Sequence, residues 1–167
     1  MDFDTRISMT EIFLADVSQK LVLRHMLELY FYDLSEFCDD LELDSSGLYG
    51  YGWLDYYWTE KGRFPYLLRV DGRLAGFALV QETKPGHFYG CEFFIMRKYR
   101  RRGLANALCN RIFQAHKGDW TLNTDNKNTI AIEKWRGIVD KMTGGNFTEE
   151  IVYDGKRTQW RFNNGNF

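Results

Sequence analysis

Around Gly103 the apolar pattern of this chain changes period, and no other feature constrains the fold as tightly. Before it, His87 to Met96 is a short aromatic-rich run that predicts a strand. After it, Leu104, Leu108, Ile112 and Ala115 recur at helical spacing, and Gly118 stops the helix. The two are joined by Arg97-Lys98-Tyr99-Arg100-Arg101-Arg102, so an apolar strand runs through an arginine-rich turn into a helix.

Other elements follow by the same logic. A short strand is expected around Arg6 to Leu14. Asp16 and Gln19 have the spacing of a capping box, opening a helix to about Ser35 with Val22, Met26, Leu29 and Tyr30 on its apolar face. Cys38 to Lys61 mixes turn residues with aromatics and predicts a loop with one short helix. Tyr66 to Val70 and Arg73 to Gln81 form a hairpin turning at Asp71-Gly72, which supplies the positive φ angles of a two-residue turn. Pro85-Gly86 makes a second turn into the strand at His87. Trp120 to Leu122 is a short strand, and Ala131, Trp135, Ile138 and Met142 mark a helix ended by Gly144-Gly145. A last hairpin spans Phe147 to Phe162, turning at Asp154-Gly155. An antiparallel run followed by β-α-β-α-β-β is an α+β (mixed α/β) arrangement, with helices on the faces of a mixed sheet.

A chain of 167 residues with 44% apolar content can bury one full core, so residues 1–167 are expected to form a single domain. Two prolines argue against linkers or a disordered tail. A formal net charge of −1 gives no global steering towards nucleic acid or an anionic membrane. Cys38, Cys91 and Cys109 are odd in number and lack metal-site spacing; a buried Cys109 thiol suits a reducing compartment. The chain begins Met1-Asp2-Phe3-Asp4, acidic where a signal peptide is basic, and no apolar run reaches membrane-spanning length. Cytoplasm is the expected location, as a monomer or homodimer.

The Arg100 to Ala105 segment carries chemistry. A helix start exposes unpaired N–H groups and the positive end of the macrodipole, and both favour an anion. Gly103 and Ala105 keep side chains out of the way, while Arg100, Arg101 and Arg102 add charge-assisted donors. A basic cluster at such a turn is often only a solvated corner. Cations there oppose the dipole and one another by roughly a few tenths of a kcal/mol each, however, which favours an arriving anion. No Gly-Lys-Ser/Thr follows, and the dinucleotide glycine fingerprint is absent.

Arg100-x-x-Gly103-x-Ala105, preceded by an apolar strand and Tyr99, resembles the acetyl-CoA signature Gln/Arg-x-x-Gly-x-Gly/Ala of the GNAT acetyltransferases. Asn128-x-x-Ala131, with an aromatic at Trp135, is similar to that family's second motif. The element order matches over nearly the whole chain, although before Tyr66 the likeness is architectural only. The resemblance implies a GNAT fold: a central, mostly antiparallel twisted sheet of six to seven strands flanked by about four helices. It further implies an N-acyltransferase that moves an acetyl group from acetyl-CoA to a primary amine of a small molecule or peptide. Transfer would be direct, in a ternary complex and without a metal. The amides of Arg101, Arg102, Gly103, Leu104 and Ala105 would hold the pyrophosphate. The strand edge at Phe94, Ile95 and Met96 would pair with the pantetheine arm, one amide polarising the thioester carbonyl. Asn128 would contact the pantetheine or adenosine side.

Acyl transfer to an amine needs a general base. Glu92, flanked by Cys91 and Phe93 on the central strand, is the candidate, with a pKa raised by apolar surroundings; His87 and Glu82 are weaker ones at strand ends. Similar family members carry a Tyr as general acid where this chain has Trp135, and an indole N–H cannot give up its proton at neutral pH. Water or another Tyr would then protonate the thiolate, or the thiolate would leave unassisted. The early helix and aromatic loop (Tyr30, Tyr32, Asp33, Glu36, Tyr51, Trp53, Tyr56, Tyr57 and Trp58) are expected to form the acceptor side, with Tyr30, Asp33, Trp53 and Tyr57 as substrate contacts and Asp33 or Glu36 holding an ammonium group in the aromatic lining. Two other functions compete. Trp135 is compatible with a catalytically silent acyl-CoA-binding sensor. Arg97 to Arg102 could bind nucleic acid, but the near-neutral charge argues against it.

Overall fold

The computed structural model of the protein describes residues 8–166. Its sheet has seven strands, β1 (Thr10–Leu14), β2 (Arg63–Val70), β3 (Arg73–Lys84), β4 (His87–Ile95), β5 (Asp119–Asp125), β6 (Phe147–Val152) and β7 (Arg157–Asn163). They lie in the order β1-β2-β3-β4-β5-β7-β6. Only β4 and β5 pair in parallel; every other neighbour is antiparallel. Four helices flank the sheet: α1 (Lys20–Leu34), α2 (Tyr56–Thr59), α3 (Leu104–Ala115) and α4 (Thr129–Thr143). The Arg6 end of the expected first strand lies outside the described residues, and β1 begins at Thr10.

The turns form as the sequence dictates. Asp71 and Gly72 take φ of 51° and 73°, the left-handed pair that matches the twist of a two-residue hairpin. Asp16 accepts from the Ser18 amide at 2.7 Å while Gln19 Oε1 accepts from the Asp16 amide at 3.2 Å. This reciprocal cap opens a single 3-10 turn that runs into α1. Gly144 closes α4 in the left-handed conformation.

Strands β2 and β3 are buried on both faces and therefore read as continuous apolar runs. Tyr66, Leu68, Ala78 and Val80 face α3 and α4, against Leu108, Ile112 and Val139. Leu67, Phe77 and Leu79 face the opposite way, against Leu23, Leu27 and Phe31 of α1 and against Leu54 and Tyr57. The buried stripe of α1 is thus Leu23, Met26, Leu27 and Phe31, not the expected Val22, Met26, Leu29 and Tyr30; Leu29 is 52% exposed. Apolar residues surround this helix on several sides, so periodicity alone permits two stripes. Packing on the sheet selects the one at i, i+4 and i+8.

Two irregularities of β4 position everything that follows. Strand β4 pairs with β5 only at His87–Tyr89 against Asp119–Thr121, so the two strands part beyond Tyr89. On its other side the register with β3 slips, Leu79 facing Glu92 while Val80 faces Gly90, which leaves Cys91 as the extra residue of a β-bulge.

Candidate active site

The helix start after β4 is bare. Arg97–Tyr99 forms a 3-10 turn anchored by buried Tyr99. Arg101 (φ 62°) and Gly103 (φ 75°) then alternate left-handed with their neighbours, which curls successive amides towards one point. Among the described residues no side chain caps α3. A Cβ on Gly103 would meet nothing within 4 Å, so the space before these amides is open. It is a hollow of about 290 Å³ bordered by Arg101, Gly103, Leu104, Ala105, Asn106 and Lys134. Leu104 and Ala105 send their side chains into the core and offer only their amides.

The three arginines do not act alike. Arg100 donates Nε to the Ile95 carbonyl at 2.8 Å and pairs through its terminal nitrogen with Asp33. Arg97 holds the same carboxylate, Nε to Oδ1 at 2.7 Å. Burial pushes the Asp33 carboxyl up, but these two guanidiniums outweigh it and hold the group below its usual range. Asp33 is therefore not a free anion for an acceptor ammonium, nor is Arg100 a free cation for a phosphate. Together they pin α1 to the turn. Arg102 lies over the Tyr99 ring, 5.7 Å from its centroid, and Arg101 alone of the three borders the hollow with a free side chain. Lys134 of α4 supplies a second cation there, which sequence reading missed because α4 reaches the hollow only through the fold.

The strand edge also needs correction. The Met96 amide donates to the Ala75 carbonyl at 2.9 Å, so it belongs to the β3 ladder. By the alternation of a strand Phe94 faces β3 as well, and Phe93 and Ile95 present their backbone groups to the side vacated by β5. The Ile95 carbonyl is taken by Arg100. What remains free is Phe93 and the Ile95 amide. The two register slips in the β3–β4 pairing set this parity, and nothing in the sequence announces them.

Where β4 and β5 part there is a cavity of about 110 Å³, bordered by Tyr30, Phe93, Asn128, Ala131 and Trp135. Asn128 accepts from the Ala131 amide at 3.1 Å, so its oxygen caps α4. Trp135 packs edge-on against Phe93 with centroids 5.0 Å apart.

The bulge turns Cys91 and Glu92 to the same face, towards α1 and the aromatic loop. There a pocket of about 640 Å³ opens between Tyr30, Tyr51, Trp53, Tyr89, Glu92 and Arg157. Burial raises the Glu92 pKa to about 7, while the Tyr30 hydroxyl, the Arg157 charge and the Tyr51 hydroxyl pull it down. A carboxyl near half-ionised at neutral pH can take a proton and release it. Burial also raises the Cys91 thiol to about 11, which keeps it protonated and a poor nucleophile. Of the expected acceptor contacts, Tyr30 and Trp53 line this pocket. Tyr57 is instead buried beneath it, 3% exposed, with its hydroxyl beside the Cys91 thiol and the Tyr51 hydroxyl. His87, the first residue of β4, and Glu82, near the end of β3, sit at the β3–β4 turn, away from the pocket: His87 lies 3.4 Å from Asp119, and Glu82 accepts from the Gly86 amide at 2.9 Å. Tyr51 joins this pocket as expected of the aromatic loop, whereas Tyr89, Cys91 and Arg157 have no site role in the sequence reading; their meeting depends on strand order, β7 lying beside β5.

Among the described residues no helix is long and apolar enough to cross a membrane.

A model of the acetyltransferase (GNAT) family matches residues 23–136. No curated protein matches the chain. Solved structures share the fold at low identity. An acetyltransferase from Thermus thermophilus superposes with a TM-score of 0.68 at 12% identity, covering 92% of this chain and 96% of its own. A Salmonella typhimurium protein, described as an acetyltransferase and solved with its cofactor acetyl-CoA, gives 0.65 at 12% identity over 95% of both chains. The ribosomal-protein-S18-alanine N-acetyltransferase of Escherichia coli gives 0.59 at 14% identity, covering 92% of this chain and 91% of its own.

Proposed function

Because the chain belongs to the GNAT acetyltransferase family, we propose that it moves an acetyl group from acetyl-CoA to a primary amine of a small molecule or peptide, directly and in a ternary complex. The observation that carries this reading is the uncapped, open run of amides at the start of α3. Those amides fit a pyrophosphate: they are concave, unpaired and at the positive end of a helix, with Arg101 and Lys134 beside them. The Ile95 amide and the Phe93 backbone would pair with the amide groups of the pantetheine arm, and Asn128 and Trp135 would wall its other side. When bound, acetyl-CoA supplies an activated acyl group.

The chain's own part is to position the amine and take its proton. Glu92 is the base: it borders the acceptor pocket, and its pKa of about 7 leaves much of it ionised at neutral pH. Tyr30 and Tyr51 donate to its carboxylate form, which orients it and favours ionisation. Trp135 cannot act as a general acid, so protonation of the departing thiolate falls to water or to a tyrosine, or the thiolate leaves unassisted; Tyr30 borders both the cavity between β4 and β5 and the acceptor pocket. The same tryptophan favours the second reading, a silent acyl-CoA sensor. Cytoplasmic location and a monomer or homodimer complete the proposal.

Calorimetry with acetyl-CoA and CoA, followed by an amine panel monitored for thiol release, tests it. Saturable binding with amine-dependent thiol release is expected. Binding without turnover of any amine would leave the sensor; no binding would remove both readings.

A further inference from the structure

The acceptor pocket holds two opposite charges, Glu92 and Arg157, that favour each other at a distance without forming an ion pair. Glu92 meets tyrosine hydroxyls, and no cation lies within ion-pair distance of it among the described residues. Arg157, the first residue of β7, borders the same pocket and donates Nη1 to Asn123 Oδ1 at 2.9 Å. Among the described residues it too lacks a carboxylate partner. Two other charges stand on the wall, Arg63 and Asp125, the latter opposite Arg157 across the β5–β7 ladder. Arg63 binds Glu60 through Nε and Nη2 at 3.2 and 3.1 Å, and Asp125 Oδ1 accepts from the Lys127 amide at 2.8 Å. An exposed arginine at a strand start is commonly just solvated. This one is fixed by Asn123, faces a concave pocket, and keeps two of its three nitrogens available in the fork that suits a carboxylate.

We propose that the acceptor is a small zwitterion, an amino acid or close analogue, with its amine towards Glu92 and its carboxylate on the Arg157 guanidinium. The proposal rests on the amine-transfer reading above and narrows it. The pocket, about 640 Å³, is of small-ligand size, and Tyr51 and Trp53 offer an aromatic wall for the remainder of the molecule. An ion pair between Lys127 and Asp39 ties the aromatic loop to the β5–α4 turn beside it, which favours a small molecule over a protein chain.

The test is a panel of amino acids with the amine at different distances from the carboxylate, each set against the amine that lacks the carboxylate. Thiol release from acetyl-CoA is the readout. Wild-type protein is expected to favour at least one amino acid over its decarboxylated partner by tenfold or more in kcat/KM, mainly through KM. Arg157→Gln should shrink that ratio about tenfold, and Arg157→Lys should restore part of it. A ratio near one throughout, or one that Arg157→Gln leaves unchanged, overturns the proposal while amine transfer stands. If no amine is turned over, the transfer reading fails, and calorimetry of the same amino acids against CoA-saturated protein decides this one. Binding weakened by Arg157→Gln supports the subsite, and no binding overturns it.

Discussion

The hollow at the start of α3 and the pocket beneath the aromatic loop are made of different material. The hollow is backbone: a few consecutive amides, shaped by Arg101 and Gly103 in left-handed conformations and by the absence of a cap. The pocket is side chain, assembled from α1, the loop after it, β2, β3, β4, β5 and β7. A site made from contiguous backbone is robust to most substitutions and sensitive to any group that covers its amides. A site made from scattered side chains can change its ligand one residue at a time.

That contrast is broken most directly at Gly103. Gly103→Glu sets bulk and negative charge against the amides, and should weaken acetyl-CoA binding by about a hundredfold or more by calorimetry. The left-handed φ of 75° adds a strain of about 1–2 kcal/mol, so a folded protein with a melting temperature lower by several degrees is expected. Unchanged affinity would remove the hollow from the account.

Glu92→Gln should do the reverse. Acetyl-CoA affinity is preserved, kcat falls about a hundredfold or more, and the rise of rate with pH around 7 disappears. Stability carries an independent signature. The folded carboxyl holds its proton more tightly than an ordinary glutamate, so wild-type stability falls as pH rises from about 4.5 to about 7. Glu92→Gln removes this cost and should be more stable than wild type at pH 8 by up to about 3 kcal/mol, with no such gain at pH 4. Equal melting temperatures at both pH values would contradict the raised pKa.

A smaller effect is expected where the two regions are tied together. Asp33→Asn leaves Arg97 and Arg100 without their carboxylate and should cost about 1–3 kcal/mol in denaturant unfolding. The sign with pH is opposite to that of Glu92. The depressed Asp33 pKa stabilises the fold above the usual carboxylate range, and the contribution is lost as pH falls through the folded value. Smallest is Tyr51→Phe. It removes a donor to the Glu92 carboxylate and should move the kinetic pH limb upwards while leaving acetyl-CoA affinity in place.

The same contrast explains what could be read in advance. Local signals gave the Asp71-Gly72 turn, the reciprocal cap at Asp16 and the glycine stop at Gly144, because each is decided within a few residues. The bare start of α3 was legible for that reason. Which arginine stays free was not, since Asp33 reaches Arg97 and Arg100 from a helix more than sixty residues earlier in the chain. Of the strand edge expected at Phe94, Ile95 and Met96, only the Ile95 amide is free, with Phe93 beside it, because strand parity depends on bulges set by pairing. Tyr57 matched an expected pocket aromatic in type, yet packing placed it underneath. Arg157 enters only once β7 is known to lie beside β5.

Amide-resolved NMR during titration with acetyl-CoA addresses the backbone hollow most directly. At saturation the largest shifts are expected on the amides of Arg101 to Asn106, with a second group at Phe93 and Ile95. Saturable binding that leaves Gly103, Leu104 and Ala105 unmoved would put the coenzyme elsewhere and contradict the central claim.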